Sequence, residues 1–355
     1  MRLFAYCLAA GALGVIATPP ADGQQTPMVV TVVDDLSRRP LPNADVIDLE
    51  SGRHRLTDEE GKVSLVWPAN GILRLRVREV GYKPIERTLR LGDDMGGTTT
   101  TFGMSKVAYV LAPVLAKSRC ASDADLAARL LAADVLEQLR QGAEKYEHFR
   151  RAYPFNLVLE RRTALPRDTA PARIRTQREK FTSGGAETRY RPGRIVAGAN
   201  SPLFSVPILF LSNLADPAFW ENHCFVVRGF ESLNGSRVVR LEFSPSTNVR
   251  GPDWEGAALL DSATSILQRV QFRVANLTGN RGPERIEGYT TYRSPSPYVV
   301  MPDTTVAIWW LRRARPRALW GDPEFGQMLH LYEMTYTRQK PPAAAPPLPT
   351  SSPPR

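Results

Sequence analysis

Histidine and cysteine are the residues of this 355-residue chain best suited to metal or nucleophilic chemistry, and there are four of one and three of the other. No Cys or His cluster has metal-site spacing, because the histidines are widely separated, at His54, His148, His223 and His330. His223 stands beside Cys224, but neighbours in a strand point to opposite faces, which disfavours a thiol–imidazole pair. The sequence therefore predicts no metal, no cofactor and no catalytic residue.

Other catalytic patterns are missing from the sequence as well. There is no Gly-x-Ser-x-Gly nucleophile elbow, no phosphate-binding glycine loop and no HExxH zinc motif. Carboxylates cluster at Asp34–Asp35 and at 58–60, but both clusters lie in predicted turns, where Asp is common, and calcium needs six to eight converging oxygens. We expect a protein that is not an enzyme, with a hydrolase whose site is dispersed as the alternative.

An aromatic and basic stretch in the second half is the candidate for ligand binding. Trp309 and Trp310 are adjacent in the alternating run TTVAIWWLRR, so one can join a core while the other stays partly exposed. The exposed ring would suit a sugar or a lipid chain, and the arginines that follow would suit an anionic group; packing within the sheet is the alternative. The candidate residues are Trp309, Trp310, Tyr298 and Arg312, with Trp254 and Trp320 as further members of the platform.

The first 23 residues have the pattern of a secretory signal peptide. Arg2 precedes an apolar run over residues 3–17, and the small-residue stretch TPPADG follows. An uncleaved membrane anchor is the alternative, although the run is shorter than the roughly 20 residues that a span needs. No later transmembrane helix is predicted. Export would place the protein in the periplasm or at the outer-membrane or cell surface, and it disfavours nucleic acid as a partner.

Export also changes the meaning of the cysteines. Only Cys120 and Cys224 would remain after processing, and an oxidising compartment favours their pairing. The disulfide would close a loop of about a hundred residues, for which the chain-entropy model gives about 4 to 5 kcal/mol. Two unrelated buried thiols are the alternative.

The chain carries 46 Lys and Arg against 36 Asp and Glu, a formal net charge of +10. The basic residues are spread through alternating segments rather than collected in a block. This distribution is compatible with anionic envelope polymers or with peripheral association at lipid headgroups, and a solvated basic face is the alternative.

From Val29 to Leu91, short β-rich runs alternate with turns at about ten-residue spacing, which predicts a small antiparallel sandwich. In the run LRLRVRE, apolar residues alternate with charged ones, so one face is buried and the other is wet. Particular residues suit the turns and edges: prolines fix φ and withhold donors, a small residue packs closely, and glycines supply positive φ. These turn residues are Pro40, Ala44, Thr57, Asp58, Gly61, Gly81 and Tyr82.

The stretch PLPNADVIDLESGRHRLTDEEGKVSL, followed by LRLRVREVGYKP, resembles the carboxypeptidase regulatory-like domain. The matching features are the Pro-Leu-x-x-Ala-x-Val start, the Thr-Asp-x-x-Gly turn and the closing Val-Gly-Tyr. The resemblance covers about sixty to seventy residues and implies a seven-strand-type, prealbumin-like (transthyretin-like) β-sandwich over residues 27–92. Members of this family are usually noncatalytic modules attached to another protein of the cell envelope.

The rest of the chain predicts a second unit. A helix is expected from Ser122 to about Gln141, and β-rich segments from Tyr153 to about Arg338 predict an open antiparallel sheet curled over it. This succession is similar to the half-barrel of lipoprotein-carrier proteins. The predicted organisation is a signal peptide at 1–23, the sandwich at 27–92, a Gly- and Thr-rich linker at 93–106, the helix-and-sheet unit at 107–338 and a disordered Pro-rich tail at 339–355.

These features favour a noncatalytic exported envelope protein that uses the sandwich to bind an envelope protein, a glycan or a lipid. The alternative is a periplasmic carrier of lipid or lipoprotein acyl chains, for which the concave sheet and the strand TVAIWWL would form the pocket. A continuous apolar cavity in the second unit would favour the carrier, and a filled core there would argue against it.

Overall fold

The computed structural model describes residues 27–92, 99–108, 126–165, 173–185, 187, 189–195, 208–277, 283–296, 299–311 and 324–337. Within them the protein is mainly β, with antiparallel sheets and few helices, which confirms the predicted fold class. Several predictions lie outside the described residues: the signal peptide, the cap at Ser122, the sites Cys120, Tyr298 and Arg312, and the tail.

The first seven strands form two facing sheets. One has the order β4-β1-β7 and the other β3-β2-β5-β6. All their pairings are antiparallel except that of β1 with β7. The strands are β1 (Pro27–Asp34), β2 (Asp45–Asp48), β3 (Arg53–Leu56), β4 (Lys62–Val66), β5 (Ile72–Arg78), β6 (Ile85–Arg90) and β7 (Thr99–Met104).

Strand β7 corrects the predicted linker at 93–106. Phe102 and Met104 are completely buried in the core of the sandwich, and residues 99–104 pair with β1 over its last six residues. The run of threonines gave no alternation of apolar and polar residues, so the strand was missed. Threonine is nevertheless β-branched and suits a pleated sheet. The sandwich therefore extends beyond residue 92.

The predicted turn residues occupy the edges of this sandwich. Ala44 is fully buried, and its N–H donates to the hydroxyl of Thr57, which itself donates to the Leu41 carbonyl. Gly61 and Gly81 have positive φ angles of 70° and 89°. The ring of Tyr82 packs on the core, and its hydroxyl donates to Asp34.

The main helix, α1 (Leu126–Ala152), continues eleven residues beyond the predicted end at Gln141. Gly142 lies within α1, where a Cβ would meet Leu211 at 3.2 Å. Two short helices follow, α2 (Leu211–Leu214) and α3 (Pro217–Asn222), and the Asp216 side chain caps α3 by accepting from the Ala218 N–H. Within the part of the chain that the structure describes, no helix is long and apolar enough to cross a membrane.

The remaining strands form one nine-stranded antiparallel sheet with the order β10-β11-β12-β13-β14-β15-β16-β8-β9. The predicted hairpin at Asp261–Ser265 is present between β12 and β13. The strands are β8 (Phe155–Leu165), β9 (Arg173–Thr182), β10 (His223–Leu233), β11 (Ser236–Pro245), β12 (Asp253–Asp261), β13 (Leu267–Ala275), β14 (Pro283–Ser296), β15 (Val299–Leu311) and β16 (Glu324–Tyr336).

Helix α1 packs on one face of this sheet. Its buried residues Val135 and Leu139 meet apolar side chains of β10 to β15, such as Leu241 and Val270. Farther along α1, Tyr146 and Phe149 join a second cluster with residues of β8, β15 and β16. These side chains fill most of this face, and a cavity of about 210 Å³ remains where α1 and the sandwich meet the β12–β13 turn, lined by Leu139, Leu211 and Leu267 among others.

A cleft on the nine-stranded sheet

The opposite face of the sheet holds a cleft of about 980 Å³ that spans the six strands from β10 to β15. We refer to it as the sheet cleft. Its lining follows from strand alternation, since the residues between the core positions point away from α1. Val239, Leu241 and Phe243 of β11 face the core, whereas Arg240 and Glu242 face the sheet cleft.

The strand register places the cleft residues in rows across the sheet. The central row runs through five adjacent strands and carries apolar and polar side chains in turn. It consists of Glu242, Ala257, Gln271, Tyr289 and Val306. A parallel row pairs Glu255 with Arg273, Arg273 with Glu287 and Glu287 with Ile308. The floor therefore mixes apolar area with charge, as an amphipathic ligand requires.

Two glycines mark where adjacent strands approach too closely for a side chain. A Cβ at Gly256 of β12 would collide with the Gln271 carbonyl, and one at Gly288 of β14 would collide with the Val306 carbonyl. Both glycines line the sheet cleft. Glycine inside a strand commonly marks a bend or a close backbone approach, and the lack of a side chain at these two positions leaves space within the sheet cleft.

Most cations of the sheet cleft are neutralised by carboxylates. Arg228 donates to Glu242 at 2.6 Å, Arg240 donates to the same carboxylate at 3.1 Å, and Arg273 donates to Glu255 at 2.6 Å. Burial raises the pKa of Glu242, but hydrogen bonds from Arg228 and Arg240 outweigh it, so the pKa lies below its usual value. This carboxylate is therefore ionised at neutral pH, and its charge offsets the two arginines.

Arg269 differs from these arginines. Within the described residues it has no carboxylate partner, and its Nε is buried without a hydrogen-bond acceptor. Its guanidinium lies 5.0 Å from the centroid of the Tyr289 ring, within the range of a cation–π contact. A buried donor without a partner is costly unless a ligand supplies the acceptor, so Arg269 is the position in the sheet cleft best suited to an anionic group.

Of the four candidate ligand-binding residues only Trp310 has a described side chain, and it is not among the residues that line the sheet cleft. Val306 and Ile308 of the predicted strand TVAIWWL line the sheet cleft, and Trp310 follows two residues later on the same face. The half-buried ring of Trp310 stacks under Arg285, 3.6 Å from the ring centroid. Trp254 lies instead in the core beside Phe272. The side chain of Trp309 lies outside the described residues, as do Tyr298, Arg312 and Trp320.

His223 and Cys224 face opposite sides of β10. His223 is buried in the core, where its ring stacks on Phe219 and its nitrogens each lie 2.9 Å from a backbone carbonyl. Cys224 lines the sheet cleft. Pairing of Cys224 with Cys120 stays a prediction, because Cys120 lies outside the described residues.

Alternation in the run RVVRLEF places Arg240 and Glu242 on the face away from the core, but it does not predict a cleft there. Alternation predicts which residues of a strand point away from the core. The cleft itself depends on the relative placement of six strands, which alternation does not give. The glycines in the middle of the alternating runs of β12 and β14 were the available signal.

No protein-family model and no curated protein matches this sequence. Similar solved structures include a DUF1329 family protein from Desulfovibrio piger, which is 9% identical with a TM-score of 0.33, the match covering 57% of this chain and 93% of that one. A putative outer membrane lipoprotein-sorting protein domain from Vibrio parahaemolyticus is 14% identical with a TM-score of 0.31, covering 57% and 95%. A LolA superfamily protein from Nitrosomonas europaea is 12% identical with a TM-score of 0.29, covering 59% and 94%.

Proposed function

We propose that the protein is an exported, noncatalytic binding protein of the cell envelope whose sheet cleft holds an amphipathic, anionic ligand of the lipid or lipoprotein acyl-chain class. The observation that carries this proposal is that one cleft contains apolar side chains on β14 and β15 together with Arg269, a cation without a carboxylate partner among the described residues. The proposal favours the carrier over an interaction module built on the sandwich alone, and it moves the ligand from the helix-covered face to the opposite one.

The size and chemistry of the sheet cleft support such a ligand. Its volume of about 980 Å³ is at the upper end of ligand pockets, which run from about 300 to 1,000 Å³. Tyr289, Val306 and Ile308 provide apolar contacts on neighbouring strands. Arg269 lies beside Tyr289, so an acyl chain on the floor would bring its charged end to this guanidinium.

The sandwich has a supporting role in this proposal. We retain the hypothesis that it is a carboxypeptidase regulatory-like module, on the residue pattern given above and on its two-sheet architecture of seven strands. Its place against α1 leaves the sheet cleft on the other side of the nine-stranded sheet. Its own binding partner would therefore be a second envelope component rather than the acyl ligand.

Binding of a fluorescent fatty acid to the purified, delipidated chain tests the proposal. Arg269→Gln removes the unpaired cation, and Val306→Glu places a charge on the apolar floor. We expect each to weaken binding by about tenfold or more. Arg269→Gln removes a hydrogen bond to a charged group, which contributes about 1.5 to 3 kcal/mol, and Val306→Glu sets a negative charge against an anionic ligand. Arg175→Gln is the matched control, because it removes the same charge from an exposed position on β9.

Mass spectrometry of material co-purifying with the exported protein separates the alternatives. Reproducible lipid in the wild type that is reduced in Arg269→Gln supports the carrier. A co-purifying protein without lipid, together with equal fatty-acid affinities in all variants, would overturn it and favour the interaction module.

A further inference from the structure

A second cluster of chemically capable side chains lies where the sandwich meets α1. Asp45 of β2, His54 of β3 and His148 of α1 each offer a ligand atom, and these atoms all lie within 4.8 Å of one another. Asp45 is buried, and both histidines are partly buried. Asp45 and His54 lie on the paired strands β2 and β3, whereas His148 is remote in sequence and is brought to them by the packing of α1.

The local geometry is close to that of a metal site. The Nδ1 atom of His54 lies 3.0 Å from one Asp45 oxygen and 3.1 Å from the other. Two ligands of a tetrahedral zinc ion, each about 2.0 to 2.1 Å from the metal, lie about 3.3 Å apart. The ring centroids of His54 and His148 are 3.9 Å apart, and a nitrogen of His148 lies within 4.8 Å of the ligand atoms of the other two residues.

The surroundings of Asp45 hold its carboxylate in place. Arg78 of β5 donates to Oδ2 of Asp45 at 2.6 Å and also contacts Glu144 of α1. This bond leaves Oδ1 of Asp45 directed toward His54. Carboxylates that ligate a metal are commonly held by hydrogen bonds of this kind, and Arg78 is the outer partner here, although its positive charge also lowers the affinity for a cation.

We propose that Asp45, His54 and His148 form a Zn²⁺ site with three protein ligands and one open position. Two imidazoles and one carboxylate are ligands that zinc accepts, and three protein ligands leave the fourth position to water. The site would join the sandwich to the helix that covers the nine-stranded sheet. It is separate from the sheet cleft, and its existence does not depend on the ligand proposed there.

Calorimetric titration of the full chain with ZnCl₂, after treatment with a chelator and without a histidine tag, tests this site. We expect one zinc ion per chain and a higher midpoint of thermal unfolding in its presence. His148→Gln should weaken binding by about 100-fold or more, because even the loss of an outer partner costs about 10- to 100-fold. His148 is a partly buried helix residue, so this variant is expected to fold, as circular dichroism will show.

His330→Gln is the matched control, because His330 lies on β16 with its Nδ1 3.0 Å from Thr304 Oγ1, in the nine-stranded sheet. It should bind zinc like the wild type, whereas His54→Gln should behave like His148→Gln. Cobalt bound in place of zinc should give the visible absorption of a tetrahedral site, and His148→Gln should abolish it. Equal zinc affinity of the wild type and His148→Gln, or no stoichiometric binding to the wild type, would overturn the proposal.

Discussion

At Gly61 the chain turns from β3 into β4, and the structure leaves no room there for a side chain. Its φ is 70°, and a Cβ would lie 2.5 Å from the Val32 carbonyl oxygen. Gly52 has a similar φ of 64° but open space around it. We expect Gly52→Ala to cost about 1 to 2 kcal/mol from the left-handed backbone alone. Gly61→Ala should cost more than this in urea denaturation, and equal losses would show that the contact with Val32 does not matter.

Asp34 organises the turn after β1 and links it to Tyr82. Its Oδ1 accepts from the N–H and the hydroxyl of Ser37, and its Oδ2 accepts from Tyr82. The backbone hydrogen bond from Ser37 lowers the pKa of Asp34 below its usual value. The carboxylate therefore adds stability above the unfolded-state pKa of about 3.9, and this is lost as pH falls through the lower folded-state pKa.

Asp34→Ala should accordingly lower the free energy of unfolding at pH 7 by about 1.5 to 3 kcal/mol, the contribution of hydrogen bonds to a charged group. The difference from the wild type should shrink below about pH 4, where the unfolded state takes up a proton that the native carboxylate resists. Denaturation curves at pH 7 and pH 3 measure both effects. A difference that grows toward acid would contradict this account.

Among the elements, α1 connects the sandwich to the nine-stranded sheet through its side chains. Gln138 accepts from the Gly81 N–H at 2.6 Å and donates to the Tyr82 carbonyl at 3.3 Å. Lys145 pairs with Glu79 at 2.8 Å. Gly81 is required at this contact, because a Cβ there would lie 3.1 Å from the Thr264 carbonyl oxygen of the β12–β13 turn.

Gln138→Ala should therefore destabilise the protein by about 1 to 3 kcal/mol, since it leaves the buried Gly81 N–H without an acceptor. Arg151→Ala on the same helix is the control; its side chain is 71% exposed, and its loss should change the free energy of unfolding by about 0.5 kcal/mol or less. Urea denaturation measures both variants, and equal effects would exclude Gln138 as a structural link.

For α1, the sequence pattern predicted the helix and its buried face but not its full length. The apolar spacing of Val135 and Leu139 follows the helical repeat, so it predicts a helix with one buried face. The predicted end at Gln141 is wrong, since α1 continues to Ala152 and Gly142 packs within it near Leu211. Tyr146 and Phe149 continue the stripe, and their burial against β8 depends on tertiary packing.

For the molecule as a whole, alternation and turn residues predicted both β units, since these are local properties of the chain. The sheet cleft and the cluster of Asp45, His54 and His148 were not predicted, because each joins residues from separate elements. Arg240 of β11 and Arg269 of β13, for example, lie on the same face of the sheet because both strands pair with β12, which lies between them. One sequence does not reveal such long-range placement.

The limits of the sandwich follow from its core. Residues 27–108 contain both sheets, and their core includes Leu75, Phe102 and Met104, all fully buried. We expect this segment to fold alone. Its contacts to α1 include charged side chains, and water can hydrate these side chains when the helix is absent. Residues 27–92 lack β7, which removes Phe102 and Met104 and exposes an edge of β1, so this shorter segment should remain unfolded.

The fluorescence of Trp67 measures whether each of the two segments folds. Trp67 is the only tryptophan in residues 27–108 and is buried at the core. Its fluorescence should report a cooperative urea transition for 27–108 and none for 27–92. Leu75→Ala in the longer segment should lower stability by about 2 to 5 kcal/mol, which verifies that the transition reports this core. A cooperative transition for 27–92, or none for 27–108, would place the boundary of the sandwich elsewhere and make its folding dependent on α1.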